Sequence, residues 1–260
     1  PEYAEYDRIT PMDLGKIKEE RPYLADTLSL YERYSGFKAL VYNLVEVRAY
    51  HDEKCYPPEL IEPVFNAFSS SFEIPDESLA ALKDAMRFGG INLSGLPAKI
   101  TAASETFSEN EHEGIIFLIS KPYFLWLRHS RGLNKSFWTD GRCPVCRSIP
   151  SVASLDAEGK RQLYCSFCET PGYFSRLGCP VCLKSETCRI NIIEAEDEAG
   201  FRVETCDSCG SYIKSITSPE ILNKYPFDLA DIVSLPLDII AQEKGYRRSS
   251  PNTLGMKKML

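Results

Sequence analysis

Eight cysteines of this chain stand in four Cys-x-x-Cys pairs: Cys143/Cys146, Cys165/Cys168, Cys179/Cys182 and Cys206/Cys209. All four fall within 67 residues. Two thiolates at this spacing sit on one tight turn and converge on one ion. Two such turns complete a tetrahedron, with metal–sulfur bonds of about 2.3 Å. Eight sulfurs therefore suit two metal ions. Between Cys146 and Cys165 lie 18 residues, and between Cys182 and Cys206 lie 23, whereas only 10 separate Cys168 from Cys179. This order predicts site 1 at Cys143, Cys146, Cys165 and Cys168, and site 2 at Cys179, Cys182, Cys206 and Cys209. A cross-braced pairing, first with third and second with fourth, stays open because spacing alone does not exclude it.

Metal is favoured over disulfides and over redox-active thiols. Disulfides suit secreted chains, and the first ten residues, PEYAEYDRIT, offer no apolar signal core. A redox thiol pair needs one Cys-x-x-Cys at a helix start, not four in hairpin-like surroundings. Both zinc and iron accept four sulfurs. Cys-Pro-Val-Cys occurs twice and resembles a rubredoxin or zinc-ribbon knuckle. Such knuckles often carry Gly after the second Cys, where the backbone turns through positive φ. Here only Gly210 does so; Arg147, Glu169 and Leu183 fill the other three positions. Zinc is accordingly preferred to iron. Cys55 and Cys188 remain. Both suit small buried side chains, and Cys188, inside the second loop, could be a fifth thiol near that metal. His51, His112 and His129 show no metal-ligand spacing.

Catalytic constellations are missing from the sequence: no phosphate-binding glycine loop and no nucleophile motif. A catalytic zinc keeps an open coordination position, which four thiolates close. The formal charge is −7. From Cys143 to Lys214 there are 8 Lys/Arg against 10 Asp/Glu, and two divalent ions with eight thiolates would bring that segment to about −6. Nucleic-acid ribbons are basic as a rule, so no nucleic-acid partner is expected. No apolar stretch approaches the ~18 residues of a membrane span.

The expected fold class is α+β. Residues 1–138 read as a helical domain. Leu24–Tyr50 carries Leu28, Tyr31, Tyr34, Leu40, Leu44 and Val47 near helical spacing. Pro57–Pro58 opens the next helix, with Leu60, Ile61, Val64, Phe65 and Phe68 as its buried side. Asp76 caps another that Gly89–Gly90 stop. A further helix follows Leu96, with Ile100, Ala103 and Phe107 on one face, and Gly114–Ser130 is a buried aromatic helix. Residues 139–217 read as a tandem zinc-ribbon or rubredoxin-like β module, with strands at Ser151–Leu155, Gln162–Tyr164, Arg189–Ile193 and Phe201–Glu204, and Gly172–Leu177 as a linker. Residues 218–260 hold a C-terminal helix, capped by Asp228, kinked at Pro236 and stopped at Gly245. The polar, basic stretch Tyr246–Leu260 is expected to lie extended on the surface, as a frayed end or a docking tail.

One family gathers these features in order. Cys143-Pro-Val-Cys146 precedes Ser148 and Pro150. Then come Leu163-Tyr-Cys-Ser-Phe-Cys-Glu-Thr170, Arg176 ahead of Cys179-Pro-Val-Cys182, and Cys206-Asp-Ser-Cys-Gly-Ser-Tyr-Ile-Lys214. Asp228, Asp231, Leu237-Asp238, Gly245-Tyr-Arg-Arg248, Pro251 and Asn252 follow. Residues 143–252 resemble the formate dehydrogenase accessory protein family (FdhE); the N-terminal residues match it in character and position. The sequence departs from that pattern at Arg147 and Leu183, where Gly is usual, and at Pro171-Gly-Tyr173, where Trp is usual. The resemblance implies a cytoplasmic, non-enzymatic maturation factor. It would act as a chaperone that binds the catalytic subunit of a formate dehydrogenase. Contact residues would then be Arg176, Tyr212, Lys214, Tyr246, Arg247 and Arg248. Two alternatives stand beside it: a rubredoxin-like iron redox protein acting on the same client, and a nucleic-acid-binding zinc ribbon protein.

Overall fold

The computed structural model of the chain describes residues 14–46, 55–91, 109–130, 136–156, 158–184 and 188–259. The expected helix after Leu96 and His51 lie outside these residues. Among the described residues, five α-helices come first: α1 (Leu14–Glu20), α2 (Ala25–Glu46), α3 (Pro58–Phe72), α4 (Asp76–Arg87) and α5 (Glu109–Ser130). In α2 the buried stripe runs Leu28, Tyr31, Tyr34, Phe37, Val41, Val45. Leu40, expected in that stripe, is 50% exposed. It lies six residues beyond Tyr34, about 240° around the helix, so it faces outward and Phe37 takes the inward place. Phe37 meets Phe68 of α3 edge-on at 5.2 Å. On α3 the side Leu60, Ile61, Val64, Phe65 and Phe68 is buried as expected. Pro122 lies inside α5 without ending it, and Ile119, Tyr123 and Phe124 on that helix are almost fully enclosed.

Eight strands follow: β1 (Ser136–Phe137), β2 (Pro150–Leu155), β3 (Arg161–Cys165), β4 (Pro171–Phe174), β5 (Ile190–Ile193), β6 (Phe201–Cys206), β7 (Ser211–Ile216) and β8 (Arg247–Arg248). They form one mixed sheet in the order β1-β4-β3-β2-β7-β6-β5, with β8 beside β7. The sequence suggests two hairpins in tandem joined by a linker, and the structure changes that in three respects. Pro171–Phe174, overlapping the expected linker Gly172–Leu177, is a strand antiparallel to β3. Ser211–Ile216, not anticipated as a strand, is antiparallel to β6. Parallel pairing of β2 with β7, Val152 opposite Lys214 and Ser154 opposite Ile216, then fuses the two ribbons. Every residue of β7 is buried. A strand covered on both faces loses the polar–apolar alternation that marks strands in a sequence, and Lys214 in its middle disguises it further.

The C-terminal helix of the sequence is three short ones: α6 (Pro219–Lys224), α7 (Phe227–Val233) and α8 (Leu235–Glu243). Asp228 does not cap α7, whose N-cap is Pro226; its carboxylate instead receives Lys38 of α2 at 3.0 Å. The chain turns at Ser234, whose hydroxyl donates to the Ala230 carbonyl, just before Pro236. The basic tail is not an exposed arm. Ser250, Asn252, Thr253 and Leu254 are buried, and β8 pairs in parallel with the start of β7. Among the described residues, no helix is long and apolar enough to cross a membrane.

Candidate metal centres

Each Cys-x-x-Cys pair forms the same turn. The amide directly after the second cysteine donates back to the first cysteine's carbonyl: Arg147 N to Cys143 O at 2.9 Å, Glu169 to Cys165 at 3.1 Å, Leu183 to Cys179 at 3.0 Å and Gly210 to Cys206 at 2.8 Å. All four donors have positive φ, between 55° and 67°. Three of them are not glycine, which costs roughly 1–2 kcal/mol each. The glycine missing from the sequence is thus absent in composition but not in conformation.

These turns gather the sulfurs in sequence order, first pair with second and third with fourth, not cross-braced. Within each foursome all sulfurs lie within 4.8 Å of one another. In the first, Cys143–Cys168 and Cys146–Cys165 are both 3.3 Å apart. In the second, Cys179–Cys209 is 3.7 Å and Cys182–Cys206 is 3.8 Å. A tetrahedron with 2.3 Å bonds has edges of about 3.8 Å, so both groups could hold a metal ion. No cysteine is in a disulfide. The titration of the sulfurs agrees with that fit. Burial raises Cys146 and Cys165 well above the usual thiol range. Burial also opposes charge on Cys143, yet hydrogen bonds from Cys146, Cys165 and Cys168 draw it far down. Four buried thiolates side by side require a cation at their centre.

The two groups sit differently. All four sulfurs of the first are buried, whereas Cys182 and Cys209 of the second are half-buried. Phe167, between the cysteines of the second turn, packs edge-on against Phe117 and Phe124 of α5 at 4.6 and 5.3 Å. Thr170 brings its hydroxyl to 3.0 Å from Cys168 Sγ. Glu169, in the strained position, binds the ribbon to the helices. Its carboxylate receives Lys38 at 2.9 Å and faces buried Lys121 at 3.6 Å, and its carbonyl receives Arg128 at 2.9 Å. Burial works against the charge on Glu169, but the two ammonium groups outweigh it and hold the carboxyl at about 2. The second group is linked to the first through Gly141, where a Cβ would stand 2.0 Å from the Pro180 carbonyl, and through Arg161. That guanidinium, on β3, pairs with Glu204 of β6 at 2.8 Å and donates to the Gly178 carbonyl at 3.0 Å.

A paired prediction follows from the strained turns. Leu183→Gly relieves its backbone and loses a half-exposed side chain, so it should be neutral or gain up to about 1 kcal/mol. Glu169→Gly relieves the same strain but removes the carboxylate facing Lys38 and Lys121, and should cost ~2 kcal/mol. Glu169 has a depressed folded pKa. The stability it contributes is therefore present above its ordinary value of 4.5 and lost as pH falls towards about 2. Urea titrations of both variants at pH 7 and pH 3 check this: the penalty of Glu169→Gly should shrink at pH 3, and an equal effect of the two variants at pH 7 would contradict it.

Of the six contact candidates, three face inward. Lys214, on β7, lies 2.9 Å from Asp231 of α7 and 2.5 Å from Asp238 of α8. Arg248, on β8, reaches both Asp231 oxygens at 2.7 Å and Asp238 at 2.7 Å. Tyr212 donates to Asp238 at 2.7 Å. Two cations balance two anions in an enclosed, neutral cluster that fastens the tail to the sheet. The carboxylates hold Arg248 above its usual range although burial opposes this. A sequence signal for the cluster existed: the acidic residues of 228–238 and Arg247-Arg248 belong to one resemblance, though nothing in it says that they pair. Arg176 and Arg247 are exposed and Tyr246 half-buried. Tyr246 donates to Asp207 at 2.7 Å, and Arg247 to the Cys209 carbonyl at 3.2 Å, so both lie on the fourth turn. Cys55 is half-buried beside Met86. Cys188 Sγ lies 3.0 Å from Cys206 Sγ. Burial and that contact push the Cys188 thiol up to about 12. Burial opposes charge on Cys206 as well, but the hydrogen bond with Cys188 brings it to about 7.

Residues 177–254, which hold the second thiol group and the charged cluster, match the family described as "FdhE, C-terminal domain". The chain is 36% identical over 122 residues to the "Protein FdhE homolog" of Aquifex aeolicus (strain VF5), covering 45% of this chain and 43% of that protein. It is also 36% identical over 114 residues to "Protein FdhE" of Escherichia coli O1:K1, covering 42% and 36%. This chain is FdhE-like. The alignments span less than half the length of these curated relatives. A crystal structure of the FdhE protein from Pseudomonas aeruginosa superposes with a TM-score of 0.62 at 20% identity, over 93% of this chain and 92% of that one. The FdhE-like character of the sequence thus extends to a shared fold over almost the whole length.

Proposed function

We propose that this chain is a formate dehydrogenase accessory protein that binds the enzyme's catalytic subunit and assists its maturation, in the cytoplasm and without catalysing a reaction itself. The observation that carries it is the match of residues 177–254 to the FdhE C-terminal domain, because that segment contains both the second thiol group and the tail locked by Arg248. Two metal ions, zinc in preference to iron, would be held by Cys143, Cys146, Cys165 and Cys168 and by Cys179, Cys182, Cys206 and Cys209. Four thiolates leave a zinc ion no open position, so its role is to brace the turns. Burial of Lys214, Arg248 and Tyr212 leaves Arg176, Tyr246 and Arg247 as the client contacts, with the helical residues 1–138, the ribbons 139–217 and the segment 218–260 as the units that carry them.

Co-purification tests this. Untagged formate dehydrogenase catalytic subunit should be retained by the tagged chain in the native cell extract, and Arg176→Ala with Arg247→Ala should weaken retention at unchanged fold and metal content. No retention over a range of salt and reductant would contradict the proposal.

A further inference from the structure

The two thiol groups differ in one respect that the Cys-x-x-Cys spacing does not contain: the second has a fifth sulfur. Cys188 Sγ is 3.0 Å from Cys206 Sγ, closer than Cys182 is to Cys206 at 3.8 Å or Cys179 to Cys209 at 3.7 Å. The backbone explains why. Ile190, the first residue of β5, is in register with Cys206, the last of β6, and the Asp207 amide donates to the Arg189 carbonyl at 3.1 Å. Cys188 therefore stands just past the end of this ladder, held beside Cys206 by main-chain bonds on both strands. It is half-buried, as Cys182 and Cys209 are. In the first group Pro150 is in register with Cys165 as Ile190 is with Cys206, so the residue in the place of Cys188 is Ser148, whose hydroxyl is a poor ligand for a soft metal.

We infer that Cys188 is an alternate ligand of the second centre, able to take the place of Cys206 on the metal. The inference rests on the second group holding a metal. Exchange there is a thiolate-for-thiolate substitution: Cys188 loses its proton to solvent as its sulfur binds, and Cys206 takes one up as it leaves. The metal keeps four sulfurs and its charge throughout. The first centre has no such spare, so the two should respond differently to loss of a ligand.

Zinc content of the anaerobically purified full chain tests this, read by elemental analysis against protein concentration. The wild type and Cys188→Ser should carry two zinc ions, and Cys179→Ser one. Cys206→Ser should still carry two, and Cys188→Ser/Cys206→Ser one. Cobalt substitution adds a second readout: Cys206→Ser should keep the full sulfur-to-metal absorption of four thiolates at each centre. The first centre's ion reports in every variant that the chain has folded. One zinc in Cys206→Ser would overturn the inference, as would two zinc ions in the double variant, since retention would then not need Cys188. A wild type with fewer than two ions would instead remove the metal assignment on which it rests.

Discussion

Replacing Cys143 by Ser should remove one of two metal ions and cost far more stability than the roughly 0.5–3 kcal/mol of an ordinary substitution. Metal binding in such small thiolate modules is itself folding free energy. The first centre is also where ribbon and helices meet. Its four sulfurs are buried, Phe167 from its second turn is inserted against α5, and Glu169 beside Cys168 holds Lys38 and Lys121. Releasing this metal frees both turns, and with them the aromatic and ionic contacts to α2 and α5. Cys179→Ser should also lose one ion, at a smaller cost in stability, because the second centre is half-exposed. Thermal unfolding of the two variants beside the wild type should give Cys143→Ser the lower midpoint. The reverse order, or unchanged metal content in both, would contradict this.

The second large effect concerns charge, not metal. Arg248→Ala should cost about 3–5 kcal/mol, the usual penalty for removing one partner of a buried ion pair. Arg248 is 7% exposed and its guanidinium occupies both Asp231 and Asp238, each at most 1% exposed. With Arg248 gone, two enclosed carboxylates are left with one cation, Lys214, between them. The Thr253 amide, which donates to Asp231 at 3.2 Å, and the buried residues Ser250 to Leu254 should then detach. Asp231→Asn should show the same in pH-dependent form. Burial opposes the Asp231 charge, but Arg248 and Lys214 outweigh it and lower its pKa. Its contribution is therefore present above the ordinary carboxylate range and lost as pH falls below it. Denaturant titration of Arg248→Ala checks the magnitude. A loss under 1 kcal/mol, with the tail still protected from proteolysis, would show that the cluster does not hold the tail.

These two effects mark what could and could not be seen in the sequence. The thiol groups were legible because a Cys-x-x-Cys turn is a local structure: its spacing fixes the direction of both sulfurs without help from the rest of the fold. The buried side of α3 was legible for a similar reason, whereas in α2 Leu40 faces outward where Phe37 turns in, and the C-terminal helix is broken into three. What was not legible depends on distant partners. Arg248 in a run of basic and polar residues looks like a surface arm. Its burial needs Asp231 and Asp238, which lie on two different helices separated by the turn at Ser234. Lys214 hides β7 in the same way, since a strand with a central lysine is seldom enclosed unless carboxylates wait for it. The missing glycines at Arg147, Glu169 and Leu183 weighed for zinc over iron. The structure keeps the positive φ at each of them, and at Glu169 the side chain that a glycine would lack is the one that ties the ribbon to α2 and α5.

Two groups of four sulfurs are proposed to close two metal centres that brace this fold. X-ray absorption at the metal edge, on tag-free protein, measures this directly. Two ions per chain with only sulfur neighbours, four to each ion at about 2.3 Å, is the expected result. Nitrogen or oxygen neighbours, or fewer than two ions beside free or disulfide-bonded cysteines, would contradict it.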